Sequence, residues 1–442
     1  MPATLSPDAV RPELLERLHD ARRRTDELFA IVKRESLYER PIPERHRIIF
    51  YIGHLEAFDW NLLSERSFGL KPFQPDLDRL FAFGIDPVGG GLPDDKPSDW
   101  PRLDEVHGYG SRIRELLDSK ISKAANGETQ SEFPLPLLLN VAIEHRLMHA
   151  ETLAYMLHQL PFHHKIVPPA HSLQYSNEAV GQEMIDIPVG RATLGLARND
   201  DAFGWDNEYE VCTVDVPAFA IDKFEVTNGQ YLAFVRAGGY EIKSLWTDDD
   251  WQWKTANGIS HPVFWKRNGD QWLYCGMFEE QSLPLNAPVY VSLAEARAYA
   301  AWAGKELPTE AEWHRAAYAD KNGGERAYPW GDVVSGKGLG NFDFAHWNPT
   351  PVNAFPQGES AFSVADLMGN GWEWTSTQFA PLPGFKAFTF YPGYSADFFD
   401  GKHFVMKGGS PRTAACMLRR SFRNWFQPHY QYVYAGFRCV KR

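Results

Sequence analysis

Three histidines are the residues best placed to do chemistry. His145 and His149 stand four residues apart in EHRLMHAETL. On a helix they share one face, so both imidazoles can reach one metal ion. His54, in YIGHLEAFDW, lies on another segment with apolar residues at helical spacing. Three neutral imidazoles from two adjacent helices can cap one face of an octahedron and leave the other face open to substrates and dioxygen. The same spacing also fits ordinary structure, because an H-x-x-x-H pair is often a solvated face and a histidine among apolar residues is often a hydrogen-bonded part of a core. Arg146, Leu147 and Met148 separate the pair, so the glutamate base of an H-E-x-x-H metalloprotease is missing. Glu144 and Glu151 are either partners that orient imidazole N–H groups or surface carboxylates, the latter being the expectation for Glu144. His163 and His164 read as structural.

The elements that must carry these histidines lie in a helix-rich first part. RPELLERLHDARRRTDELFAIV, RHRIIFYIGHLEAFDWNLLSER, LDEVHGYGSRIRELLDSKI and LPLLLNVAIEHRLMHAETLAYMLHQL repeat apolar residues at helical intervals. Four helices with a long connection between the second and third predict a bundle. That connection, FGIDPVGGGLPDDKPSDWP, has the Gly, Pro and Asp of a surface loop. A linker is expected near LPFHHKIVPPAHSLQYSNEAV. Beyond it, short apolar pieces alternate with Gly, Pro, Asn and Asp, and only SLAEARAYAAWAG and TEAEWHRAAYA have a helical pattern. The expectation is an α+β chain of two domains, a bundle over 1–180 and a loop-rich domain over 181–442.

Composition narrows the partners. The chain has 442 residues, 44% hydrophobic and 23% charged, the balance of a globular protein too long for one core. A net charge of −12 argues against nucleic acid or an anionic membrane as the main partner. No apolar run is long enough to span a bilayer, and the N-terminus lacks the basic-then-apolar order of a signal peptide, so the cytoplasm is expected. Four scattered cysteines form no C-x-x-C pair, so neither a zinc ribbon nor a disulfide framework is indicated. The 15 Trp predict a domain packed from rings rather than from long regular elements.

The second domain carries a run of recognisable text: PVYVSLAEARAYAAWAGKELPTEAEWHRAAYA, YPWGD, DLMGNGWEWTST, KGGSPRT and AGFRCV, in that order. It resembles the formylglycine-generating-enzyme (sulfatase-modifying-factor) fold, a loop-dominated relative of the C-type-lectin fold. The first domain resembles the DinB-like four-helix bundle. A DinB-like bundle before such a domain resembles the ergothioneine-type sulfoxide synthases of the EgtB/OvoA family. That resemblance implies non-haem Fe(II), with His54, His145 and His149 matching the family's ligands one by one. It also implies a pocket for hercynine, the trimethylated histidine, at Asn424 and Trp425 of the SFRNW segment, with GWDNE at Gly204–Glu208 as a companion motif. A Trp face attracts a quaternary ammonium by cation–π forces.

Three positions depart from the thiol-using members. Phe426 stands where they place an Asp that holds the donor, Met148 replaces a Gln that contacts hercynine, and Leu382 occupies the place of a catalytic Tyr in a P-Y-P-G-F context. This combination resembles the selenoneine-synthase (SenA-type) branch, which implies O2-dependent C–Se bond formation between hercynine and a selenosugar. The alternative is sulfoxide synthesis with a cysteine-derived thiol. A different class, copper-dependent formylglycine generation, would need two neighbouring late thiols. Only Cys416 and Cys439 are available, and Cys439 lies in a motif expected to be structural. A lectin-like binding module would leave the three histidines without a role.

Overall fold

A computed structural model of the chain describes residues 12–82, 94–124, 133–169, 180–198, 202–333, 336 and 338–442. The chain parts into two compact units, Met1–Pro169 and Ala170–Arg442. The break falls at the Pro168–Pro169 pair of the expected linker, where two prolines lack the N–H groups a continuing element would need. The Gly-rich heart of the long connection, 83–93, and linker residues 170–179 lie outside the described residues.

The first unit holds the four expected long helices, α1 (Pro12–Ala30), α2 (Ile48–Phe68), α4 (Leu103–Ala124) and α5 (Leu135–Gln159), with a short α3 (Pro75–Leu80) in the connection. α1 packs on α5, and α2 packs on both α4 and α5. α2 and α5 bury residues on every face, so they form the core of the bundle rather than its shell. α2 stops at Gly69, whose left-handed φ of 57° lets its N–H bond back to the carbonyl of Glu65.

A charged knot ties the helices together. Arg146, fully buried on α5, donates to Asp59 Oδ2 at 2.7 Å and Glu56 Oε1 at 3.0 Å on α2, and to the carbonyl of Leu55 at 2.9 Å. Glu56 also accepts from Arg114 of α4 at 2.7 Å, and Arg114 makes a two-pronged pair with Asp26 of α1. Burial pushes the Glu56 carboxyl up, but Arg146 and Arg114 outweigh it and hold it at about 2. Removing one member of such a set leaves buried charge without its partner. Arg146→Ala is expected to lower the unfolding free energy by about 3–5 kcal/mol in a denaturant titration. Adding Glu56→Gln and Asp59→Asn should restore part of the loss. An unchanged unfolding midpoint would show that the two carboxyls need no countercharge.

The second unit is built from small sheets. β1 (Met184–Ile187), β4 (Phe219–Asp222) and β12 (Val440–Lys441) form one antiparallel sheet, and β2 (Gly190–Leu194) pairs with β3 (Cys212–Val216). β5 (Trp265–Asn268), β6 (Gln271–Cys275) and β7 (Glu280–Ser282) make a meander. The central sheet runs β10-β9-β8-β11, from β8 (Gly371–Gln378), β9 (Phe404–Gly409), β10 (Asn424–Phe426) and β11 (Ala435–Gly436).

Among the described residues four helices accompany them, where the sequence pattern indicated two. α8 (Leu293–Trp302) and α9 (Glu310–Tyr318) begin with the capping boxes Ser292/Glu295 and Thr309/Glu312. α6 (Asn228–Arg236) and α7 (Asp248–Ala256) were not legible as helices. Each has nine residues, too few to show a period, and their starts are marked by the caps Thr227 and Thr247.

The motifs of the second domain serve the fold. Trp372 and Trp374 of the WEW run are buried, and the Trp374 indole donates to the carbonyl of Val291 at 2.9 Å. Arg438 of AGFRCV is fully buried, bonds Glu373 through both carboxylate oxygens at 2.6 and 2.7 Å, and donates to the carbonyls of Asp222, Lys223 and Ala365. One guanidinium thus satisfies acceptors from the β4 end, the 365 loop and β8. No helix among the described residues is long and apolar enough to cross a membrane.

Candidate functional site

In the bundle the three singled-out histidines converge. His54 on α2 and His145 and His149 on α5 are buried, and their ligand atoms all lie within 4.8 Å of one another. His149 Nε2 is 3.2 Å from Nε2 of His54 and 3.2 Å from Nε2 of His145. Burial keeps the rings neutral: it brings His54 down to about 4 and pushes His145 and His149 well below the usual histidine value, with the neighbouring rings adding to the effect.

The tautomers decide what this arrangement can hold. His54 Nδ1 lies 2.7 Å from the carbonyl of Phe81, which can only accept, so Nδ1 carries the proton and the Nε2 lone pair points into the cluster. A single proton on His149 Nε2 can serve one neighbour but not both. A cation satisfies all three nitrogens at once. Two imidazole nitrogens at right angles on one ion, each about 2.1 Å away, sit about 3.0 Å apart, close to the spacings seen. The residues therefore fit a metal ion with three protein ligands.

The surroundings hold the rings still. Phe58 stacks on His145 with centroids 3.4 Å apart, and Phe50 stacks on His54 at 4.9 Å. Phe81 caps α3, so that short helix brings the carbonyl to His54. The Phe81 ring lies over Gly53, where an added Cβ would come within 2.5 Å of it. A glycine beside the ligand thus makes room for the residue that orients it. Sequence reasoning missed Phe81 and Gly53, which lie in a connection and on an unremarkable helix turn. Glu144 is buried rather than on the surface, because α5 is enclosed on all sides; Glu151 is buried as well. Met148 is half-buried on α5, and His164 bonds Ser36 at 2.7 Å, in keeping with a structural part.

In the second unit, Asn424, Trp425 and Phe426 form β10, paired with Met406, Val405 and Phe404 of β9, and all three are half-buried. The Trp425 ring lies parallel to Phe379 at 4.1 Å, with Tyr394 at 5.5 Å edge-on and Phe398 at 5.6 Å. Arg423, paired with Glu310 at 3.0 and 3.1 Å, covers Phe379 at 5.0 Å. Of these rings sequence reasoning named Trp425; Phe379, Tyr394 and Phe398 all lie in the long connection from β8 to β9 and carry no spacing signal. Asn424 Oδ1 accepts the N–H of Trp425 at 2.9 Å. Phe426 stacks on Tyr430 at 5.0 Å.

The GWDNE segment braces this wall. Glu208 accepts from Arg419 at 2.8 Å and from Ser421 at 2.6 Å, while Asp206 accepts from Ser395 at 2.6 Å. Trp205 stacks on Tyr394 at 3.9 Å. Leu382 is buried beside Gly195 and offers no proton. Cys439 is buried beneath β4, where burial pushes its thiol up, and Cys416 is exposed, so the two thiols occupy dissimilar settings.

Comparison with known proteins shows the family. Residues 171–442 match the model of the sulfatase-modifying factor enzyme 1-like domain. The hercynine oxygenase of Mycolicibacterium smegmatis is 31% identical over 97% of this chain and 99% of its own length. That of Mycolicibacterium thermoresistibile is 40% identical, but the match spans 56% of each chain. Ergothioneine biosynthesis protein 1 of Neurospora crassa is 27% identical over 93% of this chain, which spans 55% of that longer protein. The chain belongs to the sulfatase-modifying-factor-enzyme-1-like family that includes these hercynine oxygenases.

Proposed function

We propose that the protein is a non-haem Fe(II), O2-dependent oxidoreductase that joins hercynine to a chalcogen donor, and that the donor is a selenosugar. The observation that carries the reading is the convergence of three neutral, buried imidazole Nε2 atoms, with His54 fixed as the Nδ1–H tautomer. The names of the relatives support hercynine as the acceptor. His54, His145 and His149 would hold the iron, which when bound supplies the activation of dioxygen that no side chain provides.

The chain's own work is binding and orientation. Trp425, steadied by Phe379, receives the trimethylammonium end of hercynine, and Asn424 lies beside it on β10. On α5, Met148 offers a soft apolar side chain in the place of a polar one. Phe426 and Tyr430 give the donor an aromatic surface without a carboxylate. A selenol ionises more readily than a thiol, so the apolar Leu382 in the place of a phenol withholds nothing the donor requires. A cysteine-derived thiol is the second reading, favoured by the ergothioneine name of the Neurospora relative.

The overall test is oxygen uptake by the iron-loaded chain that depends on hercynine. Uptake with a donor alone, or full turnover after iron is chelated, would overturn the assignment. Trp425→Ala is expected to weaken hercynine binding by about 1–2 kcal/mol, the scale of a desolvated cation–π contact. Plain histidine should bind the unaltered protein poorly, since it lacks the quaternary charge. Calorimetry showing equal affinity for histidine and hercynine would remove Trp425 from the betaine site.

A further inference from the structure

Phe426 ends β10, and the chain then turns at once, with the N–H of Tyr430 bonded to the carbonyl of Gln427 at 3.1 Å. The turn lays Tyr430 back on Phe426. Its apex is His429. This imidazole is stacked flat on Trp253, with centroids 4.7 Å apart and ring planes 2° from parallel, and its Nε2 lies 2.9 Å from Asp250 Oδ1. Both partners belong to α7, a helix the sequence pattern did not disclose.

Asp250 is buried, 2% exposed, and its N–H is capped by Thr247. Its other oxygen faces Arg297 of α8 at 3.7 Å. Arg297 in turn lies over the ring of Phe404 at 4.5 Å, and Phe404 is the β9 residue paired with Phe426. The contacts therefore close a circuit: Phe426, Tyr430, the His429 turn, Asp250, Arg297, Phe404 and back to Phe426. α8 adds a second tie, from the N–H of Ala294 to the carbonyl of Pro428 at 3.1 Å.

We infer that His429, held by Asp250 and Trp253, is a positioning residue for the Phe426–Tyr430 surface and thereby sets how well the donor binds. The inference rests on the reading of Phe426 as a donor-facing residue. An acceptor-only carboxylate accepts a hydrogen bond from the N–H at His429 Nε2, so the ring's rotation is fixed by one hydrogen bond and its plane by Trp253. With the imidazole fixed, the following residue is fixed too, and Tyr430 stays stacked on Phe426. Rigid placement of a recognition surface lowers the ordering cost of binding. The acceptor side is left alone, because Trp425 takes its support from Phe379, Tyr394 and Phe398 instead.

The experiment is steady-state kinetics on the iron-loaded full chain with His429→Ala and His429→Gln, varying donor and hercynine separately. Selenosugar and γ-glutamylcysteine are both tried, and the constants are read for whichever the unaltered enzyme uses. His429→Ala should raise the donor KM by about tenfold, equivalent to about 1.4 kcal/mol, with the hercynine KM within twofold of the original. His429→Gln, whose amide N–H can still reach Asp250, should recover most of the donor KM. Asp250→Ala should reproduce the His429→Ala defect. A parallel rise in both KM values, or failure of the glutamine to rescue, would overturn the inference and make the clamp a matter of folding alone. If the unaltered enzyme used neither donor, the reading of the site would fall, and this inference with it.

Discussion

Alanine at His54, His145 or His149 is expected to strip most of the iron from the purified protein and to abolish nearly all hercynine-dependent oxygen uptake. The magnitude follows from the ligand count. Three imidazoles make up the cluster among the described residues, so losing one would leave an ion with two of these three ligands. The three positions should not fail identically. His149 is the shared neighbour, 3.2 Å from both other nitrogens, and its loss separates His54 from His145. His54 is locked by the Phe81 carbonyl, and a glutamine there cannot keep both that bond and a ligand lone pair in the same place. Metal content by elemental analysis and oxygen uptake are read together. Full iron and full rate in any single variant would show that the cluster is a packed core and that the metal lies elsewhere.

Much of this cluster was legible in the sequence, and the reason is periodicity. A spacing of four on an apolar helix puts His145 and His149 on one face, and His54 lies on a second helix of the same kind. What the spacing could not decide was whether the rings are solvated, stacked in a core or aimed at an ion. That depends on Phe81, which reaches His54 from a short helix across the α2–α4 connection, and on Gly53, which leaves it room. Neither has a pattern of its own.

The second unit shows the opposite balance. Its motifs were easy to recognise, yet residues such as Arg438, Glu373 and Trp374 are buried in the framework. The aromatic surroundings of Trp425 come from residues 379, 394 and 398, placed by the long β8–β9 connection, whose path no local rule dictates. α7 escaped notice because its nine residues open on three Asp and hold too few apolar side chains to show a helical period, so its start rests on Thr247 as a cap. Recognisable text marked what holds the domain together, whereas the surface it presents depends on long-range packing.

In a mixture of equal amounts of selenosugar and γ-glutamylcysteine, the product is expected to carry selenium. Phe426 is the reason. Its ring stacks on Tyr430 and is half-buried, so a donor lying against it meets apolar and aromatic surface. An ammonium brought there loses hydration and gains no carboxylate in return, a cost of at least about 1–3 kcal/mol for an unpaired polar group and more for a charged one. That cost corresponds to roughly a 5- to 150-fold disadvantage for the amino-bearing thiol. A neutral sugar has no such group, and its C–H face suits an aromatic ring. Phe426→Asp should reverse the balance only in part: it lowers selenosugar turnover by removing the stacking surface and by placing a carboxylate beside Tyr430, and it supplies one partner for an ammonium. Mass analysis of the competition distinguishes the cases directly. A dominant sulfur product from the unaltered enzyme would refute the selenium reading and return the donor to the cysteine-derived thiols, while the three-histidine centre and the Trp425 site would stand, since neither depends on which chalcogen arrives.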